Sequence, residues 1–407
     1  MRPLIAIVLV LHGLIHLIGF AKAFHLARVE AIHAQISRPV GLLWLAVTIG
    51  FLVAAGLLVT GSRDWPLVAV PAIALSQALI VATWSDAKIG TIANVVLVVA
   101  SLVALVDRSP SSLRSTYERE VGRALERDAG REIVVEGDLS GLPAPLQTYL
   151  RRVGAVGKPR VHDVRIVWRA SMRRSPDADW MTLRIEQHSF FDDPTRLFFM
   201  EGSMHGVPFV GLHRYAGGAA TMDVRIASLL KIADGKGPKM DQSETVTMFN
   251  DLCVFAPAAL LDAQVTWEPI DARRVRGTYT NGEQRVSAEL LFDEAGDLVD
   301  FVSFDRYESA DGKTYRSFRW STPLSDYRDF GGRRVAARGD AIWSYPEGEF
   351  VYGRFEIESI DYNVGGARAR HAWTSTRPPW TSSRPRRPSE ISGTSSHSIP
   401  FPTRYGC

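Results

Sequence analysis

Two histidines stand four residues apart in the first apolar stretch of the chain, His12 and His16 within HGLIHL. On a helix, positions i and i+4 share a face, the spacing at which two imidazoles can grip one metal ion or flank a haem. Ionisable groups inside an apolar span are functional candidates by default. The other apolar stretches offer no second pair of His or Cys ligands. The competing expectation is that each neutral ring hydrogen-bonds a neighbouring helix, at Ser76, Gln77 or Asn94. The sequence names no cofactor. His25 and His33 follow in a loop and read as exposed, and Asp86 and Lys88 flank a turn in TWSDAKIG as an interfacial ion pair.

Elsewhere, residue types that do chemistry lack the spacing for it. There is no GxSxG, no P-loop, no GxGxxG after a strand and no HExxH. Gly235 to Lys239, GKGPK, lacks the Ser or Thr after the lysine that a phosphate loop requires, and it reads as a loop. His205, His213 and Asp223 read as polar positions at strand ends. Asp241 and Glu244 are carboxylates that a helix N-terminus attracts without catalysis. The two cysteines, Cys253 and Cys407, form neither a CxxC motif nor a disulfide framework. The expectation is therefore a binding protein rather than an enzyme. A net charge of +3, without basic runs interleaved with aromatics, argues against nucleic acid as a partner.

The elements that would position these residues fall into two blocks. Residues 1–107 carry almost no charge, whereas nearly all charged residues lie beyond Asp107. So abrupt a shift marks a change of solvent from lipid to water. Pro3 to Phe20, Val40 to Gly61, Pro66 to Trp84 and Ile89 to Val106 are each long enough to cross a bilayer core. Trp44, Trp65 and Trp84 lie near the span ends, where aromatic anchors sit. The expectation is a multi-pass protein of the cell membrane, with the bilayer as a partner. Lys22, Arg28, Arg38 and Lys88 draw the first and third loops to the cytoplasm, against Arg2, Arg63, Arg108 and Arg114. The denser charge of the first loop places the second block outside the cytoplasm.

Residues 108–141 form a linker, with a short charged helix from Leu113 to Asp128 whose Tyr117, Val121 and Leu125 make one apolar stripe. Such a stripe packs on the domain or on the membrane surface. Pro143 to Val153 reads as a second short helix opening the domain at 142–364. From Arg160 the pattern turns to period two. Strands are expected at Val161–Ala170, Trp180–Gln187, Arg196–Gly202, Phe209–Tyr215 and Thr221–Ile226. Further strands are expected at Val265–Pro269, Arg274–Thr280, Arg285–Phe292, Leu298–Tyr307, Thr314–Ser321, Arg334–Tyr345 and Phe350–Tyr362. Asn281-Gly282 and Asp311-Gly312 are hairpin signals. Met240 to Ala263 interrupts the strands as a helical insertion, with a second short helix from Pro257.

The fold class expected is α+β: a four-helix transmembrane block, then a curved antiparallel sheet, an open barrel wrapped around a helical insertion. Such a sheet can enclose an apolar cavity. Phe198 and Phe199 of RLFFM, with Phe249 and Phe255 of the insertion, are the candidate ligand-binding residues. The function expected is a membrane-tethered module that holds a lipid or other apolar small molecule. The alternatives are a metal-, haem- or redox-active membrane protein using His12 and His16, and a structural or assembly factor.

Several of these segments together resemble a bacterial family of unknown function, DUF6544. They include HGLIHLIGFAKAF at His12 to Phe24, WSDAKIGTIAN at Trp84 to Asn94 and LPAPLQTYLRRVGAVGKPRV at Leu142 to Val161. FAPAALLDAQVTWEPID at Phe255 to Asp271 and TPLSDYRDFGGRRVAARGDAIW at Thr322 to Trp343 extend the resemblance, which covers residues 1–364. It implies no reaction and no catalytic residues. By analogy of fold alone, the domain is similar to the curved sheet of lipoprotein-carrier proteins. Residues 365–407, rich in Arg, Ser, Pro and Thr, depart from the pattern and are expected to be disordered.

Overall fold

The computed structural model describes residues 2–30, 32–126, 130, 132–204, 206–309 and 314–365. His205, Asp311, Gly312 and the tail at 366–407, with Cys407, lie outside the described residues.

Among the described residues, four helices are long and apolar enough to cross a membrane. They are α1 (Arg2–Ala23), α2 (Arg38–Val59), α3 (Trp65–Ala82) and, after the single turn α4 (Trp84–Ala87), α5 (Gly90–Arg108). Pro39 and Pro66 open α2 and α3, where a missing N–H costs nothing. Glycine lets α1 and α2 approach closely: a Cβ on Gly19 would overlap the Trp44 indole, and one on Gly41 would overlap Ala23. Large apolar side chains such as Leu11, Ile15, Leu42, Ile49, Ile92 and Val99 point away from the bundle and are exposed.

The chain breaks at Ser109–Ser112 and restarts as α6 (Leu113–Leu125), whose first turn is capped by Ser112 accepting from the Ser115 amide. The stripe of α6 packs on the sheet: Leu113, Tyr117, Val121 and Leu125 are buried against Phe190, Leu197, Phe199 and Leu212. A shorter helix, α7 (Ala144–Arg152), opens the sheet domain.

The first run of strands is β1 (Asp163–Met172), β2 (Met181–Phe190), β3 (Thr195–Met204), β4 (Val207–Ala216), β5 (Ala219–Ile226) and β6 (Leu230–Lys236). The insertion follows as α8 (Pro238–Phe255) and a 3-10 turn at Pro257–Leu261. The second run is β7 (Val265–Asp271), β8 (Arg274–Asn281), β9 (Gln284–Phe292) and β10 (Leu298–Ser303). A two-residue ladder, β11 (Tyr307–Glu308) with β12 (Arg316–Ser317), stands apart. Then come β13 (Arg319–Ser321), β14 (Leu324–Phe330), β15 (Arg333–Tyr345) and β16 (Gly348–Tyr362). Among the described residues, fourteen strands form one antiparallel sheet in the order β6-β5-β4-β3-β2-β1-β16-β15-β13-β10-β9-β8-β7, with β14 beside β15. The ladder does not close, since β6 and β7 are both edges. The sheet nevertheless wraps around α8, which packs on β4, β5 and β6 from one arm and on β9 and β10 from the other. The arms meet where the Asn281 amide donates to the Tyr215 hydroxyl at 2.6 Å.

The structure departs from the expected strands at three places. Residues 230–236 form β6 rather than a loop, because an exposed edge strand with one buried position shows no alternation. Residues 324–330 form β14, which has no buried position and so no alternation to read. Leu298–Tyr307 and Thr314–Ser321 each split, so that β13 and β14 lie in tandem along the thirteen-residue β15.

Candidate ligand-binding site

Strand parity decides which side chains enter the wrapped sheet. Val164, Ile166 and Trp168 of β1, Leu183 and Ile185 of β2, and Phe198 and Met200 of β3 belong to the main core. Phe209 and Tyr215 of β4 point the same way. Facing them, α8 contributes Val246, Met248, Phe249, Leu252, Val254 and Phe255. Phe249 lies against Tyr279, Phe301 and Trp267, and Phe255 meets Trp168 edge-on at 5.0 Å between ring centroids. Phe198, Phe249 and Phe255 thus share the interior. Phe199, one residue out of phase, lies on the opposite face beneath α6, 5.6 Å from the Tyr117 ring.

The space expected as a cavity is occupied by α8. A cleft lined by Phe255, Pro257, Ala258, Arg333 and Tyr362 has about 10 Å³ of free space, room for about one water. A ligand pocket needs some 300 Å³ or more.

The helix that fills the interior is polar to an unusual degree. Ser243, Glu244, Thr245, Asn250 and Asp251 are buried along with its apolar residues. They are satisfied by a seam of polar groups on the concave face. Arg196 of β3 donates from Nε to Asp251 at 3.0 Å, and its Nη1 lies 3.4 Å from Glu244. Asp251 also accepts from Gln187 at 2.6 Å and Ser189 at 3.0 Å, both on β2. Arg306 stands 3.6 Å from Glu244, with its guanidinium over the Trp320 ring. Asn250 donates to Thr322 and Tyr215 bonds Thr245. Glu244 and Asp251 are 1% and 3% exposed, so each depends on these partners.

The two carboxyls titrate differently. Burial works to raise Glu244, but His213, Arg196 and Arg306 outweigh it and hold the group below its ordinary range. Burial dominates at Asp251 and pushes it up, despite Arg196 and Ser189. His213 lies 3.4 Å from Glu244, and burial pulls its pKa down to about 4. Neither carboxyl opens to solvent while α8 is in place.

Sequence reading missed Arg196, Asp251, Gln187, Ser189 and Arg306. The signal was present in part: Arg196 has the parity of Phe198, and Asp251 follows Glu244 by seven residues, two turns along one helix face. On the convex side, the Tyr117 hydroxyl bonds His188 Nδ1 at 2.8 Å, and burial depresses that histidine to about 3. Arg114 pairs with Glu201 at 2.7 Å over the Phe199 ring. His213 joins the seam, whereas Asp223 pairs on the outer side of β5 with Arg225 and Lys231.

Among the four apolar helices, His12 and His16 do come together, with Ser76 of α3 and Asn94 of α5. His16 Nδ1 lies 2.9 Å from the His12 carbonyl, which can only accept, so Nδ1 carries the proton. In a neutral ring Nε2 is then an acceptor, and Ser76 donates to it at 3.0 Å. His12 Nε2 lies 3.0 Å from Asn94 Oδ1, likewise an acceptor. Asn94 donates in turn to Ser76 and Gln77. The described residues hold no group of three or more His, Cys, Asp or Glu able to grip a metal. His33 Nδ1 lies 3.1 Å from Asp86 Oδ1, and Asp86 also accepts from the His33 and Ala34 amides.

A model described as a family of unknown function, DUF6544, matches residues 132–355, from the approach to α7 into β16. The chain belongs to that family. The match takes in the wrapped sheet and α8 and leaves the four apolar helices of this DUF6544 member outside it. No curated protein matches the chain. Solved structures similar to it include a putative outer membrane lipoprotein-sorting protein domain from Vibrio parahaemolyticus, at 10% identity and TM-score 0.30. That likeness covers 51% of this chain and 88% of the other. A DUF1329 family protein from Desulfovibrio piger is similar at 13% identity and TM-score 0.32, covering 56% and 95%. A LolA superfamily protein from Nitrosomonas europaea is similar at 11% identity and TM-score 0.27, covering 50% and 86%.

Proposed function

We propose that this DUF6544 member is a multi-pass membrane protein whose extracytoplasmic sheet domain takes an apolar, lipid-class ligand into the space that α8 fills here. The observation that carries the reading is the composition of α8. A helix buried on every side is ordinarily apolar all round, yet five of the buried residues of α8 are polar or charged. Ionic and polar groups of this kind add little net stability over apolar replacements. Their presence suits a plug that leaves the sheet and is solvated when it does. What it would uncover is the inner aromatic surface of the sheet, with Phe198 and Trp168. The outward-facing apolar side chains of α1, α2, α3 and α5 support the membrane setting.

Cys253 reports on the plug directly. It lies on α8, is fully buried, and burial pushes its thiol well above the ordinary range. In the full chain carrying Cys407→Ser, a water-soluble maleimide labels Cys253 slowly. Addition of a long-chain fatty acid or lysophospholipid accelerates labelling as α8 yields. A labelling rate unchanged by saturating amphiphile, while the protein stays folded, contradicts the reading.

A further inference from the structure

The turns at one end of the sheet carry exposed apolar side chains at the level where the long helices end. Leu229 and Leu230, in and just after the β5–β6 turn, are 55% and 65% exposed, and Ile232 follows on β6. The adjacent start of β4 adds exposed Val207, and it is tied to the β5–β6 turn by the Ala227 amide donating to the Pro208 carbonyl at 2.8 Å. Ser228, beside Leu229, donates from Oγ to Asp107 at 3.4 Å, one residue before the end of α5. Asp107 accepts in turn from Arg63 in the α2–α3 turn. One boundary therefore holds the ends of two apolar helices and the β5–β6 turn. The course of α6 agrees. Its start, Arg114, pairs with Glu201 near the β3–β4 turn, and its later Glu120 reaches Arg214 towards the opposite end. The linker thus leads away from the boundary, and these turns face it.

We propose that the start of β4 and the β5–β6 turn are a membrane-docking surface, with Val207, Leu229, Leu230 and Ile232 inserted into the interfacial zone of the bilayer that holds the helices. The proposal rests on the reading of α1, α2, α3 and α5 as membrane spans. Apolar side chains clustered on an exposed tip have no solvent-side reason to be there, and the bilayer lies where the Ser228–Asp107 bond places its edge. The nearby charges are balanced, with Lys231 and Arg225 paired to Asp223, so contact is through apolar burial and needs no anionic lipid. The docked turns would fix the mouth of the sheet against the lipid surface, the geometry a lipid-class ligand needs to pass without crossing water.

The test uses the full chain in phosphatidylcholine vesicles, with Cys253→Ala and Cys407→Ser. An environment-sensitive fluorophore is attached to one new cysteine at a time, through Leu230→Cys, Val96→Cys or Glu283→Cys. Val96 is exposed on α5, and Glu283 is exposed in the β8–β9 turn near Gly218, at the far end of the sheet. Phosphatidylcholine carrying a nitroxide on its acyl chain is then included. The expected result is loss of most emission at positions 230 and 96 and none at 283. Quenching at 96 with none at 230 overturns the docking surface and leaves the spans intact. No quenching at 96 overturns the membrane reading and the docking surface with it.

Discussion

Replacing Arg196 by methionine separates the buried seam from the rest of the core. The side chain is 7% exposed and is wedged between Asp251, Glu244 and Gln187, with its guanidinium 4.5 Å from the Phe198 ring centre. Methionine keeps the volume and removes the charge. Asp251 and Glu244 are then left in the interior, with Arg306 still 3.6 Å from Glu244. Breaking a buried pair in this way costs about 3–5 kcal/mol. For a domain of this size that is a fall of roughly 10 °C in Tm. The pH dependence follows from the carboxyls. In the native chain Glu244 is held below its ordinary range, so its contribution is present above its unfolded pKa and is lost as pH falls through the lower folded value. Without Arg196 both carboxyls rise, and their burial opposes folding wherever the unfolded chain would ionise them. The deficit of Arg196→Met is therefore full at neutral pH and shrinks in mild acid as the carboxyls protonate. Tryptophan fluorescence in detergent follows the unfolding, since Trp168, Trp320 and Trp343 lie in the core. The exposed pair Arg169–Glu358 is the control, and Arg169→Met costs about 1 kcal/mol or less. A variant as stable as wild type at neutral pH, or a deficit that does not change with pH, refutes the reasoning.

Tyr117→Phe removes the bond to His188 and leaves that buried ring without its Nδ1 partner. It is expected to cost about 1–3 kcal/mol and to increase proteolysis of the linker around α6, read by limited digestion. Gly19→Leu drives a side chain into the Trp44 indole and should separate α1 from α2, seen as loss of folded protein from detergent extracts while Gly56→Leu, in open space, is tolerated. His12→Ala/His16→Ala is expected to leave the metal content of the purified chain unchanged, because the rings bond Ser76 and Asn94; a stoichiometric metal lost in the variant would reinstate the ligand pair.

The four apolar helices were legible because each is a long run almost free of charge, and their ends moved by only a few residues. The wrapped sheet was legible where burial alternates along the strand, as in β9, and where apolar residues run together, as in β3. It was illegible at β6 and β14, whose exposed edges carry Lys, Asp and Arg without alternation. The helical insertion was recognised, but its complete enclosure was not, because Glu244 and Asp251 look like solvent-facing residues until Arg196 is placed opposite them. Phe198 and Phe199 show the limit at single-residue scale. Composition chose both, and only strand parity sends one into the interior and the other beneath α6. The partners of His12 and His16 were named from residue type alone, since Ser76 and Asn94 are polar groups in apolar helices and must find one another.

The central claim is that an apolar ligand enters the sheet in place of α8. It is tested most directly by incubating the full chain in membranes with a diazirine-bearing fatty acid, irradiating, and mapping the modified peptides. The account predicts adducts on peptides of the sheet's inner face, those containing Phe198 or Trp168, diminished by competing unlabelled fatty acid. Adducts confined to α1, α2, α3 and α5 would contradict it.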